Sequence, residues 1–398
     1  MYNLLNGLSV IEASSFVASP TAGLYLAQMG AEVIRVDQIG GGPDFRRWPV
    51  TEANDSLYWE NLNRAKKSVA LDLASPQGRE LLQELVRKTG QFVTNFPAEG
   101  FLSHAKLAEG RADLITVRVM GWADGSPALD YTVNNSVGYP MMTGAGPEPV
   151  NHVLPAWDLL TGAYAAFAML AAVQKRATTS EGLEVRIPLS DVAIGTVANL
   201  GGIAEVLYTG ANRPRLGNAV YGLFGRDFVT ADGVRTMIVV VTPRQWANLI
   251  TALKLENAVA ALEAERGVSF AKDDGLRFNH RDALYPLFGA AIAVRTHADL
   301  AAAFDAGGIV HSAYRTMLDA ANDPALVANN PVFGAVANPS GFDYPAAGSF
   351  ATVPQLDRQA PQPAPRNGAN SEEILAERLG LSSGAIAALI DAGTVAKG

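Results

Sequence analysis

A rhythm in the first 190 residues constrains the fold most: short β-branched runs alternate with stretches of helical periodicity. The runs Leu8–Ala13, Glu32–Asp37, Ser68–Asp72, Gln91–Asn95, Leu114–Val119 and Glu184–Pro188 read as strands. Pro20–Met29, Gln77–Lys88, Asp158–Lys175 and Asp191–Tyr208 read as helices. Gly30 and Gly90 stand where the first two helices should stop, and Ser75-Pro76 is a cap followed by a tolerated first-turn proline. Strand–helix alternation implies parallel strands with crossover helices on both faces, a doubly wound α/β domain.

The pattern changes after about residue 210. Asp227–Thr230 and Arg235–Val241 are strand-like and flank Ala231-Asp232-Gly233, a hairpin turn, and alanine-rich helical stretches follow. This predicts a smaller α+β domain. A proline-rich passage near Pro354–Pro365 precedes Asn370 and Glu373, which resemble a capping box opening a helix over Ser371–Leu379. The expected boundaries are 1–200 for the large domain, 201–215 for a linker, 216–325 for the small domain, 326–353 for a second linker and 354–398 for a C-terminal segment.

With 48% hydrophobic and 18% charged residues in 398, the chain has material for a sizeable core. A net charge of −8 argues against sequence-independent nucleic-acid binding, yet a few local cations suffice for an anionic small ligand. The absence of cysteine rules out disulfides, a thiolate nucleophile and cysteine-ligated zinc, and suits a cytoplasmic protein. The N-terminus reads as no signal peptide. Val153–Gln174 needs a membrane check: these 22 residues carry one charge, Asp158. Pro155, Gly162 and seven alanines dilute their hydrophobicity, and an aspartate in lipid costs roughly 3 kcal/mol, so a buried helix is expected rather than a span.

Few segments carry chemistry on their own. Gly40-Gly41-Gly42-Pro43-Asp44 fits neither phosphate-loop pattern and reads as a turn. The histidines 104, 152, 280, 297 and 311 lack metal-ligand spacing and read as ordinary surface or partly buried residues, so no metal site is expected. No Gly-x-Ser-x-Gly elbow occurs. Arg64-Ala65-Lys66-Lys67 is either a solvated turn or, beside a strand end, a face for cofactor phosphates, with Arg46, Arg47 and Trp48 adding cations and a stacking surface. Phe96 after Asn95 is either an adenine platform or core. Asp158 is the only Asp, Glu, Lys, Arg or His between His152 and Lys175. It reads as a helix cap, as a nucleophile in apolar surroundings, or as both.

An ordered set of segments resembles class III (family III) CoA-transferases. It includes Leu8–Glu12, Ala18-Ser19-Pro20, Gly30–Val36, Ser56–Trp59, Asn63–Leu73, Asn95-Phe96, Asp158 ahead of Gly162, Ala364–Gly368 and Glu372–Leu375. The resemblance implies a large Rossmann-like domain built from both chain ends, with 354–398 as its C-terminal part, an interlocked homodimer, a CoA thioester substrate and no other cofactor. It assigns the catalytic nucleophile to Asp158 and CoA contacts to Val17, Ala18, Leu71, Asn95 and Phe96. Gln38 stands where many members place an arginine near the adenine, which leaves Arg46, Arg64, Lys66 and Lys67 as candidate phosphate partners. A successive-glycine lid found in oxalate-handling members is absent.

Arg46–Thr51, Asn151–Asp158 and Gly217–Phe228 are similar to intramolecular members of the family. Those members move CoA from C1 to C4 of one mesaconate through aspartyl anhydride and thioester intermediates. Three alternatives stay open: an intermolecular dicarboxylate CoA-transferase, an α-methylacyl-CoA racemase and a non-enzymatic CoA-binding subunit. The racemase branch places a histidine just ahead of an aspartate, and Leu129 stands there before Asp130.

Overall fold

Strands covered on both faces must be apolar at nearly every position, and the central runs satisfy this. In the computed structural model, which describes all 398 residues, β1 (Ser9–Ala13) is followed by α1 (Ala18–Gln28), β2 (Glu32–Gln38), α2 (Leu57–Leu62), β3 (Lys67–Leu71) and α3 (Pro76–Thr89). Then come β4 (Gln91–Thr94), α4 (His104–Ala108), β5 (Ile115–Met120), α5 (Asp130–Ser136), α6 (Tyr139–Met142), α7 (Ala156–Thr179), β6 (Leu183–Pro188), α8 (Leu189–Asn199) and α9 (Gly202–Thr209). Ser75 accepts from the Gly78 N–H and Gly90 closes α3 in the left-handed region, as expected. The predicted Asp191–Tyr208 helix is instead two, α8 and α9, bent by 63° across Leu200-Gly201.

The second half adds β7 (Phe224–Val229), β8 (Arg235–Val240), α10 (Pro243–Leu253), α11 (Glu256–Arg266), α12 (Asp274–Asn279), α13 (Arg281–Ala293), α14 (His297–Gly307), β9 (Val310–Ala313) and α15 (Met317–Asn322). It closes with β10 (Phe333–Val336), β11 (Tyr344–Ala347), α16 (Ser371–Leu379), α17 (Ser383–Asp391) and β12 (Val395–Ala396). Two units result: one holds residues 1–137, 152–210 and 323–398, the other 138–151 and 211–322. Residues 138–151, expected in the large domain, therefore group with the smaller unit. The stretch expected as a second linker contains the antiparallel β10–β11 ribbon.

The larger unit carries a seven-stranded sheet in the order β12-β3-β2-β1-β4-β5-β6, parallel except for β12, which runs against β3. One sheet face packs Ile11, Ile34, Val69 and Phe92 under α3, α4, α16 and α17; the other packs Val10, Val33, Val93 and Val117 under α1 and α7. Asn370 makes no side-chain cap on α16. Its side-chain amide oxygen accepts from the Ser68 N–H instead, which ties the C-terminal helix to β3. The smaller unit pairs β7, β8 and β9 antiparallel, with Phe224, Trp246, Phe288 and Phe304 in its core.

By length and composition α7 is able to cross a membrane. One side of it is nonetheless buried against α1 through Thr161, Gly162, Ala165, Ala166 and Met169. A Cβ on Gly162 would sit 2.6 Å from the Ala18 carbonyl oxygen, so the glycine permits this close crossing. The crossing sets the second turn of α7 against the start of α1.

Candidate active site

In an open doubly wound sheet, ligands collect outside the carboxyl ends of the strands where the strand order reverses. Here the reversal lies between β1 and β4, and the two loops leaving it are pinned together. Asn95 accepts from the Ser15 N–H at 3.1 Å and donates to the Ser15 carbonyl at 2.9 Å.

Beneath that loop lies a buried charge network. The Arg35 guanidinium grips Asp37 with two bonds of 2.8 Å and donates to Glu12 (3.0 Å), Asn63 (2.9 Å) and the Ser14 carbonyl (2.9 Å). The Lys66 ammonium lies 2.8 Å from the other Glu12 oxygen and donates to the Pro20 carbonyl and Asn63, both at 2.9 Å. Burial lowers the proton affinity of Lys66 to a pKa of about 8, while the Asp37 and Glu12 carboxylates hold Arg35 firmly charged against its desolvation. Gly23 makes room for the Glu12 carboxylate, since any Cβ there would overlap Glu12 Oε2.

The network also fixes the turn into α1. Phe16 adopts φ +67°, a left-handed conformation unfavourable for a bulky residue, and the Asp44 carboxylate secures it by accepting the Phe16 N–H at 2.7 Å. Burial raises the pKa of Asp44, opposed by that bond and by Arg35. Arg47 then lies over the rings of Phe16 (5.3 Å) and Tyr58 (4.9 Å).

Asp158 stands beside this group in the first turn of α7, but it is not the cap. The N-cap residue is Pro155, and the first amides are satisfied from another helix. Asp130, at the start of α5, accepts the Trp157 N–H at 2.7 Å and the Asp158 N–H at 3.1 Å, and its second oxygen bonds His152 Nε2 at 2.5 Å. The Asp158 carboxyl, partly buried, accepts no hydrogen bond from the chain. Burial first, then the Asp130 charge, push its pKa up to about 7, with Arg47 opposing. The Tyr58 hydroxyl is buried without a partner, and burial pushes its pKa up to about 12.

Of the residues expected to touch CoA, Val17, Ala18, Gln38, Leu71, Asn95 and Phe96 all lie at the carboxyl ends of β1 to β4. Gln38 and Leu71 are register partners, with Gln38 exposed and Leu71 buried. Arg46 is exposed. Lys66 and Arg64, expected as phosphate partners, both have partners within the chain. Lys66 is sealed against Glu12, and Arg64 is buried, donating to Asn61 and to the Ala347 carbonyl at 2.7 Å. Lys67 is engaged by Glu32 (3.0 Å) and Glu373 (2.5 Å). Trp48 projects outward at 80% exposure, so it stacks on nothing here. Sequence reasoning passed over Asp130, His152 and Tyr58 as functional groups. The one available signal was the acidic residue noted behind Leu129.

The model for CoA-transferase family III matches residues 5–371. A 2-methylfumaryl-CoA isomerase of Chloroflexus aurantiacus is 45% identical over 100% of this chain and 98% of its own. A succinyl-CoA–D-citramalate CoA-transferase of the same organism is 28% identical over 97% and 96%. The crystal structure of a CaiB/BaiF family protein from Brucella suis superimposes with a TM-score of 0.78 at 25% identity, covering 95% of this chain and 100% of that one.

Proposed function

The chain belongs to CoA-transferase family III and is an enzyme, and on that footing we propose that it moves CoA from C1 to C4 of a single mesaconate, converting 2-methylfumaryl-CoA to 3-methylfumaryl-CoA. The observation that carries the reading is the Asp158 carboxyl: desolvated, without a hydrogen-bond partner, and acted on by the Arg47 charge. A poorly hydrated carboxylate is a stronger nucleophile than a solvated one. The full-length similarity to the Chloroflexus aurantiacus isomerase supports the acyl group.

In this mechanism the ionised Asp158 attacks the C1 carbonyl. A carbon–oxygen bond forms, the carbon–sulfur bond breaks, and CoA leaves as thiolate, an acceptable leaving group because thiol pKa values lie near 8.5. The thiolate attacks the aspartyl side of the anhydride, giving aspartyl-CoA thioester and free mesaconate. The C4 carboxylate then attacks that thioester, thiolate departs again and takes the C4 acyl carbon of the second anhydride, and Asp158 is regenerated. No proton is consumed over the cycle. CoA contacts at Val17, Ala18, Gln38, Asn95, Phe96, Arg46 and the Leu71 backbone belong to this proposal, as does a cytoplasmic setting.

The proposal includes a homodimer. Leu160, Tyr164 and Phe167 form an exposed apolar stripe on α7, and Leu200, Leu207 and Tyr208 project from α8–α9 at 70–92% exposure. So much exposed apolar side chain fits a covered face. Sedimentation showing a stable monomer at nanomolar concentration would remove this part.

Incubating the purified protein with mesaconyl-C1-CoA alone tests the function. Chromatography should show the C4 thioester appearing without any added acid. The succinyl-CoA-dependent relative favours a second reading, intermolecular transfer, in which conversion requires a free dicarboxylate.

A further inference from the structure

The start of α7 is closed by a side chain from another helix. Pro155 has no side-chain acceptor to offer, so the Trp157 and Asp158 amides turn to the Asp130 carboxylate, which is 1% exposed. The remaining Asp130 oxygen is taken by His152, whose ring stands edge-on to Tyr131 at 5.7 Å. One helical turn along α5, Asn134 accepts from Trp157 Nε1 at 3.0 Å, so α5 grips the first turn of α7 at two points. An aspartate in a first turn commonly folds back onto free amides. With those amides already satisfied, the Asp158 side chain has no such use and stays available.

We infer that Asp130 is a positioning residue for Asp158: its carboxylate caps the helix that carries the nucleophile, fixes that turn, and places a negative charge beside the Asp158 carboxyl. The catalytic consequence rests on the function proposed above; the positioning itself does not. Asp158 faces Asp130 from α5 and Arg47 from the segment before α2, and it interacts electrostatically with Tyr58 of α2. Asp130 in turn faces His152, while Tyr58 also faces Arg47, Asp44 and Tyr131. Among these the Asp130 charge opposes ionisation of Asp158 and Arg47 favours it. Removing the Asp130 charge leaves burial alone to oppose Arg47.

The test reads the carboxyl and the amides directly, without turnover, so a failed CoA-transfer reading leaves it standing. Carbon-13 carboxyl NMR on the full-length protein follows the Asp158 titration, assigned with Asp158→Asn. Asp130→Asn keeps an oxygen acceptor but loses the charge, and the Asp158 midpoint should fall at least tenfold in proton affinity. Asp130→Ala loses both, and hydrogen exchange at the Trp157 and Asp158 amides should accelerate at least tenfold, with little change in Asp130→Asn. An unmoved midpoint in Asp130→Asn, or unchanged exchange in Asp130→Ala, overturns the inference. Should both variants fail to fold, the unsubstituted protein decides. Its Asp158 titration should depart from a single independent step, and a clean single-step curve counts against the inference.

Discussion

The backbone N–H of Asp158 donates to Asp130 Oδ2 at 3.1 Å, so one aspartate is held in place by the very carboxylate whose charge resists its ionisation. Two acids so arranged differ in role. Asp130 is saturated with donors, and Asp158 is left with none. Such a division of labour between neighbouring carboxyls is a common way to obtain a reactive group near neutral pH.

Asp158→Ala should lower turnover by at least a thousandfold while leaving CoA affinity and the circular dichroism spectrum close to those of the unsubstituted protein. Steady-state kinetics with mesaconyl-C1-CoA and calorimetric CoA titration make the comparison. Near-normal turnover would reduce Asp158 to an ordinary first-turn acid.

Activity should follow the ionised form of Asp158. Its pKa is pushed up to about 7, so kcat/KM should fall about tenfold per unit below that value and level off above it. A profile flat down to pH 5 would show that a different group carries the reaction.

The same shift bears on stability. A carboxyl whose folded pKa lies above its unfolded value binds more protons when folded, so stability is lost as pH rises between about 4 and 7. Asp158→Asn should therefore be more stable than the unsubstituted protein at pH 8, by roughly 1–4 kcal/mol, with the gain vanishing near pH 4. Urea denaturation at the two pH values measures it; an equal difference at both would contradict the assignment.

Tyr58 should matter for rate and not for folding. Its hydroxyl is buried and unpaired, so Tyr58→Phe removes an unsatisfied group, and stability should hold or rise by up to about 1 kcal/mol. If the phenol donates to the substrate's carbonyl or carboxylate beside Asp158, turnover should drop about 10- to 100-fold. Unchanged kinetics would assign the hydroxyl no role.

Gly23→Ala probes the network beneath the loop. Its new Cβ would overlap Glu12 Oε2, and Arg35 and Lys66 hold that carboxylate from both sides, so it has nowhere to move. Destabilisation of about 3 kcal/mol or more is expected in urea melts. A change under about 0.5 kcal/mol would mean that the network yields easily.

What the sequence made legible follows from the range of each interaction. The six parallel strands and α7 announce themselves through local periodicity, and Asp158 through being a lone charge in an apolar run. The Lys66–Glu12 pair was not legible because the two residues lie 54 positions apart in sequence. Asp130 was missed as a cap because a helix usually finds its N-cap in the preceding residue, whereas here the acceptor comes from α5. β12 is two residues long and exists only by pairing with β3, and the β10–β11 ribbon owes its place to the contacts of Tyr344 and Ser340 with Glu60. None of these leaves a local pattern.

The most direct test of the central claim is isotopic. Mesaconate carries donor thioester and acceptor carboxylate on one unit, so a retained molecule has a high effective concentration against any acid in solution. The protein is given unlabelled mesaconyl-C1-CoA together with carbon-13-labelled free mesaconate, and the thioester pool is sampled by mass spectrometry in early turnover. Intramolecular transfer on Asp158 predicts a C4 product free of label, at a rate unaffected by added succinate. Label entering the thioester pool as fast as product forms would show that free acid is the acceptor and contradict the account.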